Sequence, residues 1–241
     1  MIKKGHLKDF ASLYPKMYDK KSREEKGVRI VKTLADYFGK NKLKTLEVLD
    51  VGASTGIIDN IIAKKVKRVV GIDVDKQAVV FANSVFSKKN LQFQVGDAMK
   101  LKFKSGFFDV VICTHVYEHV PNAQKLFDEI YRVLRPGGVC YLASINSLWP
   151  IEPHYKLLFL SYLPKSLADL YVRLTGKSDK YYEKPSTYWG IKKMTNRFKQ
   201  IDYTSKIISN PKKYGYPVSN LKFIAPIGKY ISPTIFWILV K

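Results

Sequence analysis

The segment His115-Val116-Tyr117-Glu118-His119 packs two imidazoles and a carboxylate into five residues. If it turns helically, positions i, i+3 and i+4 share a face. His115, Glu118 and His119, joined by the later His154, would then form a set suited to a divalent metal. Without a metal, His115, His119 and His154 are candidate general bases for drawing a proton from an acceptor oxygen. The plainer alternative is that His119 braces its own loop. A second set lies upstream, where Val48-Leu49-Asp50-Val51-Gly52-Ala53-Ser54-Thr55-Gly56 reads as a buried strand that breaks into a glycine-rich turn and then a helix. Glycine lets the backbone approach a ligand, and the helix start offers unpaired N–H groups. The middle position of the turn is Ser54, small enough for close approach but less permissive than glycine. Asp73, at the end of the next strand, can take both hydroxyl protons of a ribose, with Val74 beside it to pack on a base. Asp75 competes for that role, although it is also well placed to start the next helix. Asp97, in Gly96-Asp97-Ala98, can accept from an adenine amino group or simply form a turn.

These residues need a scaffold that delivers strand ends to one rim. Ser22 to Phe38 has helical periodicity through Val28, Val31, Leu34, Ala35 and Phe38. Strands are expected at Leu46–Val51, Arg68–Asp73, Leu91–Val95, Phe107–Cys113 and Val139–Ile145. Helices are expected at Gly56–Lys64, Asp75–Phe86 and Ala123–Leu134, the last stopped by Arg135-Pro136-Gly137-Gly138. This alternation predicts an α/β doubly wound, mostly parallel sheet covered on both faces. Residues 147–185 interrupt it with an apolar-basic stretch, read as a helical lid insertion. Beyond it, a helix is expected at Ser186–Phe198, with strands at Ile201–Ile208 and Thr234–Val240. The 241 residues thus divide into a basic helical segment (1–44), a cofactor-binding core (45–146), the lid (147–185) and a closing helix and strands (186–241), all in one domain.

Val48 to Gly56, Gly71 to Asp75, Gly96 to Ala98, Phe108 to Val111, Tyr117 to Val120 and Leu134 to Gly138 occur in order. Together they resemble the class I S-adenosylmethionine-dependent methyltransferases, in the broad group called methyltransferase type 11, across about residues 45–146. The resemblance implies a Rossmann-like sheet of seven strands with the last antiparallel, and S-adenosyl-L-methionine as cofactor. It implies that Asp50 and Gly52 lie by the methionine part, with Ala53, Ser54 and Gly56 completing the turn. Asp73 and Val74 would lie by the adenosine, Asp97 and Ala98 by the adenine, and Thr114 and His115 on the sulfonium side. Some ubiquinone-pathway and small-RNA O-methyltransferases carry Glu-x-x-Glu-His plus a later His at a metal site; this chain is similar, with His115 in place of the first Glu. No Asn/Asp-Pro-Pro-Tyr/Phe follows the fourth strand, which disfavours base N-methylation and leaves O-methylation as the default.

Composition narrows the partners. The formal net charge is +22. Residues 1–44 hold thirteen basic and five acidic side chains, residues 45–150 thirteen and ten, and residues 151–241 sixteen and five. The excess therefore sits outside the core, where it would attract an acidic small molecule, an anionic membrane surface or RNA, or would simply be solvated. No RNA-binding module is recognisable. The aromatic, basic lid favours a small-molecule or lipid-linked acceptor, with peripheral contact at a membrane. RNA methylation, or a basic binding protein on a methyltransferase scaffold, is the alternative. Met1 to His6 lacks the apolar stretch of a signal peptide, and Cys113 and Cys140 fall in expected core strands; a cytoplasmic setting is expected.

Overall fold

The computed structural model describes residue 11, residues 14–218 and residues 222–241. The stretch read for a leader, Met1 to His6, lies outside them. Asp19 opens the first long helix, α1 (Lys20–Phe38), by accepting a hydrogen bond from the Ser22 amide. Strand β1 (Glu47–Val51) leads into the short helix α2 (Ile57–Ala63). Strand β2 (Arg68–Asp73), helix α3 (Lys76–Phe86) and strand β3 (Leu91–Val95) follow. Strand β4 (Phe108–Thr114) is joined by helix α4 (Ala123–Val133) to strand β5 (Leu134–Ile145). Next come α5 (Lys165–Leu174), α6 (Tyr188–Met194), strand β6 (Lys199–Asp202), α7 (Thr204–Ser209), α8 (Ala225–Ile231) and strand β7 (Thr234–Val240).

The seven strands form one sheet in the order β3-β2-β1-β4-β5-β7-β6. β1 to β5 are mutually parallel, and β7 runs antiparallel to both its neighbours. The central strands are apolar because both faces are covered. Val48, Val110 and Ile112 pack on one side with Ile30 and Leu34 of α1, Ile58 and Ile62 of α2, and Val79 of α3. Their strand neighbours Leu49, Val111 and Cys113 pack on the other side with Leu126, Phe127 and Ile130 of α4 and Ile191 of α6. Strand order reverses at the β1–β4 junction, so a crevice opens at the carboxyl ends there.

Three elements depart from expectation. β5 begins at Leu134 rather than Val139, because Leu134 pairs with Phe108 before the register shifts to Val110–Val139. The strand expected over Ile201–Ile208 stops at Asp202, whose carboxylate accepts from the Thr204 amide and the Ser205 hydroxyl and so starts α7. The helix expected over Ser186–Phe198 spans only Tyr188–Met194, opened by Thr187, which accepts from Gly190 N.

The insertion has its own small core of Tyr155, Leu157, Leu160, Ala168, Val172 and Tyr181. It is tied back where Ser186 N donates to the buried Tyr117 hydroxyl and Lys184 N donates to Glu118 O. α5 buries Ala168 and Val172 but leaves Leu167, Leu170 and Leu174 exposed. No helix among the described residues is long and apolar enough to cross a membrane.

Candidate active site

A cavity of about 830 Å³ opens at the strand-switch crevice, towards the upper end of the roughly 300–1,000 Å³ typical of small-ligand sites. Its walls come from three stretches of chain: the segment around Tyr14 and Met17 with α1, the core from Gly52 to His154, and residues 204–236.

The turn after β1 has the shape of a ligand cradle. Gly52 has φ +83, and a Cβ there would lie 2.5 Å from Val116 Cγ2. Its amide and that of Ala53 donate to Ile72 O at 2.8 and 3.0 Å. Ser54 also sits at positive φ, +50, and its amide donates to Asp73 Oδ2 at 2.8 Å. Asp73 Oδ1 accepts from the Asp75 amide at 2.8 Å. Each Asp73 oxygen is therefore braced by one backbone N–H and keeps acceptor capacity towards the cavity it lines. Burial raises the Asp73 pKa against these hydrogen bonds. Asp75 is fully used elsewhere: Oδ1 caps α3 through the Gln77 and Ala78 amides, and Oδ2 accepts from Ala11 N at 2.9 Å.

Gly52, Ser54, Asp73, Val74, Ala98, Thr114 and His115 all line the cavity. Asp50, Ala53, Gly56 and Asp97 lie behind it. Gly56 ends the turn at φ +73 beneath Phe93. Asp97 accepts from the Met99 amide at 2.8 Å, between the lining residues Gly96 and Ala98. Asp50 is buried against Asp59 of α2 and Arg23 of α1. Burial, reinforced by the neighbouring Asp59 charge, pushes the Asp50 pKa well up, and burial lifts Asp59 to about 7. Two carboxyls buried side by side favour keeping a proton between them, which the Arg23 guanidinium opposes.

The histidines are arranged differently from the helical expectation. Residues 115–119 form a bend and turn, with His115 at φ +56, a strained conformation at the rim. His115 Nδ1 lies 3.4 Å from Glu118 Oε1. Of the four residues weighed from sequence as an alternative metal set, His119 and His154 converge, and they do so with Glu183, one ligand atom from each lying within 4.8 Å of the others. Glu183 comes from the end of the insertion, and its distance in sequence hid it. Both Glu183 oxygens are buried with no hydrogen-bond partner in reach among the described residues, and His119 Nδ1 stands 3.8 Å from Oε1. His154 Nδ1 is 2.9 Å from Glu152 Oε1, while Glu152 Oε2 accepts from the His154 and Tyr155 amides. That contact fixes the tautomer and leaves Nε2 for other work. The His119 and His154 rings meet edge-on at 5.0 Å. Burial lowers the His119 pKa to about 4. Burial also opposes charge on His154, but the Glu152 hydrogen bond and the Glu183 charge outweigh it and raise that pKa. Among the lid aromatics, Tyr181 packs in the insertion core and Trp189 stacks on Tyr230 at 5.1 Å.

Sequence reasoning missed the two flanking walls. Lys16, Arg23, Lys26 and Arg29 reach the cavity from before β1, and Tyr216 and Phe236 from the far end of the chain. The signal was present in the i, i+3, i+6 spacing of Arg23, Lys26 and Arg29, which places three cations along one side of a helix.

The family model for the methyltransferase domain matches residues 49–142. The ubiquinone biosynthesis O-methyltransferase of Psychrobacter arcticus is 34% identical over 109 residues, covering 42% of this chain and 41% of that protein. The demethylmenaquinone methyltransferase of Lactococcus lactis is 32% identical over 147 residues, covering 58% and 57%. The chain therefore aligns with about half the length of these curated relatives. Among solved structures, the plantazolicin methyltransferase BpumL, in complex with a desmethyl analogue and SAH, superposes with a TM-score of 0.62 at 18% identity over 93% of this chain and 87% of that one. The cyclase SpnF superposes with a TM-score of 0.56 at 17% identity over 88% and 80%. At such identities the likeness speaks for the fold alone.

Proposed function

We propose that this protein, whose residues 49–142 match the family model of the methyltransferase domain, transfers a methyl group from S-adenosylmethionine to an oxygen of a small-molecule or lipid-linked acceptor. The observation that carries this reading is the convergence of Gly52, Ser54, Asp73, Val74, Ala98, Thr114 and His115 on one cavity. The cradle fits the cofactor: Gly52 turns at φ +83 against Val116, so a bare backbone rather than a side chain faces the cavity there. Asp73 would hold the ribose diol through the acceptor capacity left on its two oxygens. Bound S-adenosylmethionine supplies an electrophilic methyl group on an excellent leaving group, so acceleration rests largely on placement and water exclusion. His154, oriented by Glu152, presents Nε2 as the base for an acceptor hydroxyl. His119 closes the other side of that proton path.

The grouping of His119, His154 and Glu183 favours a second reading, in which these three hold a divalent metal and Glu152 orients His154 from behind. A metal there would supply a Lewis acid that binds and acidifies the acceptor oxygen. Lipid-linked acceptors suit the exposed Leu167, Leu170 and Leu174 of α5, which lie among Lys165 and Arg173.

Calorimetric titration with S-adenosylhomocysteine tests the first step, and the expected result is saturable one-to-one binding. Transfer of labelled methyl groups into a fractionated extract then assigns the acceptor. Label in RNA rather than in the lipid or small-molecule pool overturns the acceptor class. No binding and no transfer overturn the reaction. Metal analysis of protein purified without a histidine tag separates the two roles of His154, and content below about a tenth of an equivalent removes the metal reading.

A further inference from the structure

The basic side of α1 does more than the cofactor requires. Arg23, Lys26 and Arg29 follow one another along the helix and all line the cavity. At a rise of about 1.5 Å per residue, Arg29 stands roughly 9 Å beyond Arg23. Arg23 is the member beside Asp50, at the glycine-turn end. Arg29 lies at the other end, its guanidinium 4.5 Å from the centre of the Tyr216 ring, with Nε donating to Gly215 O and Nη2 paired with Glu25. Lys26 stands between them, half-buried, with no ion pair among the described residues. The two acids on the cavity wall, Asp73 and Asp75, are both at the nucleoside end and already accept from backbone amides. Beyond Lys26 and Arg29 the lining includes Ile30, Tyr141, Ile207, Tyr216 and Phe236, with the hydroxyls of Thr204, Ser232 and Thr234 as its uncharged polar groups.

Resting on the methyl-transfer reading, we infer that Lys26 and Arg29 form an acceptor subsite for an anionic group, a carboxylate or a phosphate, borne on an apolar body that lies against Tyr141, Tyr216 and Phe236. Three cations gathered on one half-buried wall repel each other. Burial and the charges of Arg23 and Arg29 pull Lys26 down to about 8, and a bound anion relieves that cost. Arg29 is held ready by Tyr216 and Gly215, so little rotamer freedom is lost when it binds. With Nε on Gly215 O and Nη2 on Glu25, Nη1 is the guanidinium nitrogen left to donate a charge-assisted hydrogen bond to an oxyanion.

The test uses octanoate, octyl phosphate and 1-octanol as probes, titrated into the full chain with and without saturating S-adenosylhomocysteine. At least one of the two anions is expected to bind about tenfold or more tightly than the alcohol. The preferred anion identifies the carboxylate or the phosphate as the native group. Lys26→Gln and Arg29→Gln should each cut that preference to about threefold or less, and Arg29→Lys, which keeps the charge but loses the planar group on Tyr216, should fall between Arg29→Gln and the parent. S-adenosylhomocysteine affinity should stay within about threefold in all three variants. Equal binding of alcohol and anions overturns the inference. So does a loss of about tenfold in S-adenosylhomocysteine affinity in the Gln variants, which would assign the ridge to the cofactor's own carboxylate. If the parent protein prefers the anions but does not bind S-adenosylhomocysteine, the methyl-transfer reading fails while the anion subsite stands.

Discussion

Gly52 is constrained both by its backbone angle and by its neighbour. Its φ of +83 and the 2.5 Å approach to Val116 leave no room for a methyl group. Gly52→Ala should therefore weaken S-adenosylhomocysteine binding by about tenfold or more and lower stability by roughly 1–3 kcal/mol. Calorimetry and urea denaturation would check the two effects separately. Ser54 poses the opposite case, a non-glycine residue held at φ +50. Ser54→Gly should leave cofactor affinity nearly unchanged and stability within about 1 kcal/mol, since relief of strain is offset by greater freedom in the unfolded chain. Asp59 has a pH signature. Its folded pKa, about 7, lies above the ordinary carboxyl value of 3.8. The native state therefore binds more protons than the unfolded state between these values, and this contribution to stability is full below the lower value and lost as pH rises through the upper one. Asp59→Asn removes that loss, so its urea midpoint should exceed the parent's at pH 8, with the gain shrinking towards pH 4. A constant difference across that range would mean that the shared proton is not on this pair.

At the scale of elements, α1 is fixed by contact rather than by propensity. Gly27 allows α1 to lie against α2, where a Cβ would come within 2.8 Å of Ile61 Cβ and 3.1 Å of Ile58 O. Gly27→Val should push the helices apart, cost roughly 1–3 kcal/mol in urea denaturation, and loosen anion binding along with stability. The strands at the cavity rim were legible because a strand buried on both faces reads as a near-continuous apolar run, as Val69–Ile72 and Val110–Cys113 do and as Val48–Val51 does but for Asp50. Asp75 showed in the sequence as a helix opener and caps α3 in the structure. The end of β6 was not legible, because Ile201, Ile207 and Ile208 look alike in strand and helix, and one side chain, Asp202, decides between them. Glu183 was hidden for a different reason. Its partners His119 and His154 lie 64 and 29 residues earlier, and only folding of the insertion onto the rim brings them together. The exposed edge of α5 has its own test. If it meets a membrane, Leu170→Glu with Leu174→Glu should reduce sedimentation with vesicles containing anionic lipid while leaving S-adenosylhomocysteine binding intact. Unchanged sedimentation would leave that face without a membrane role.

Across the whole molecule, the cavity draws on parts with different origins in the chain. The donor cradle lies inside residues 49–142, where the family match falls. The cations of α1 and the rings of Tyr216 and Phe236 lie outside it, on either side. The surplus positive charge is likewise carried by the two flanks rather than the centre, and part of it turns inward through Arg23, Lys26 and Arg29. The flanks are joined to each other as well as to the sheet: Asp36 of α1 pairs with Lys213 and accepts from the Tyr214 hydroxyl, and Arg29 stacks on Tyr216. α1 and the segment around Lys213 to Tyr216 are thus held to each other beside the cavity. A hybrid enzyme should therefore accept a new substrate only when both flanks are transplanted from the same parent. Replacing one alone would leave half a keyhole, with the methyl donor still gripped and nothing fitting opposite it.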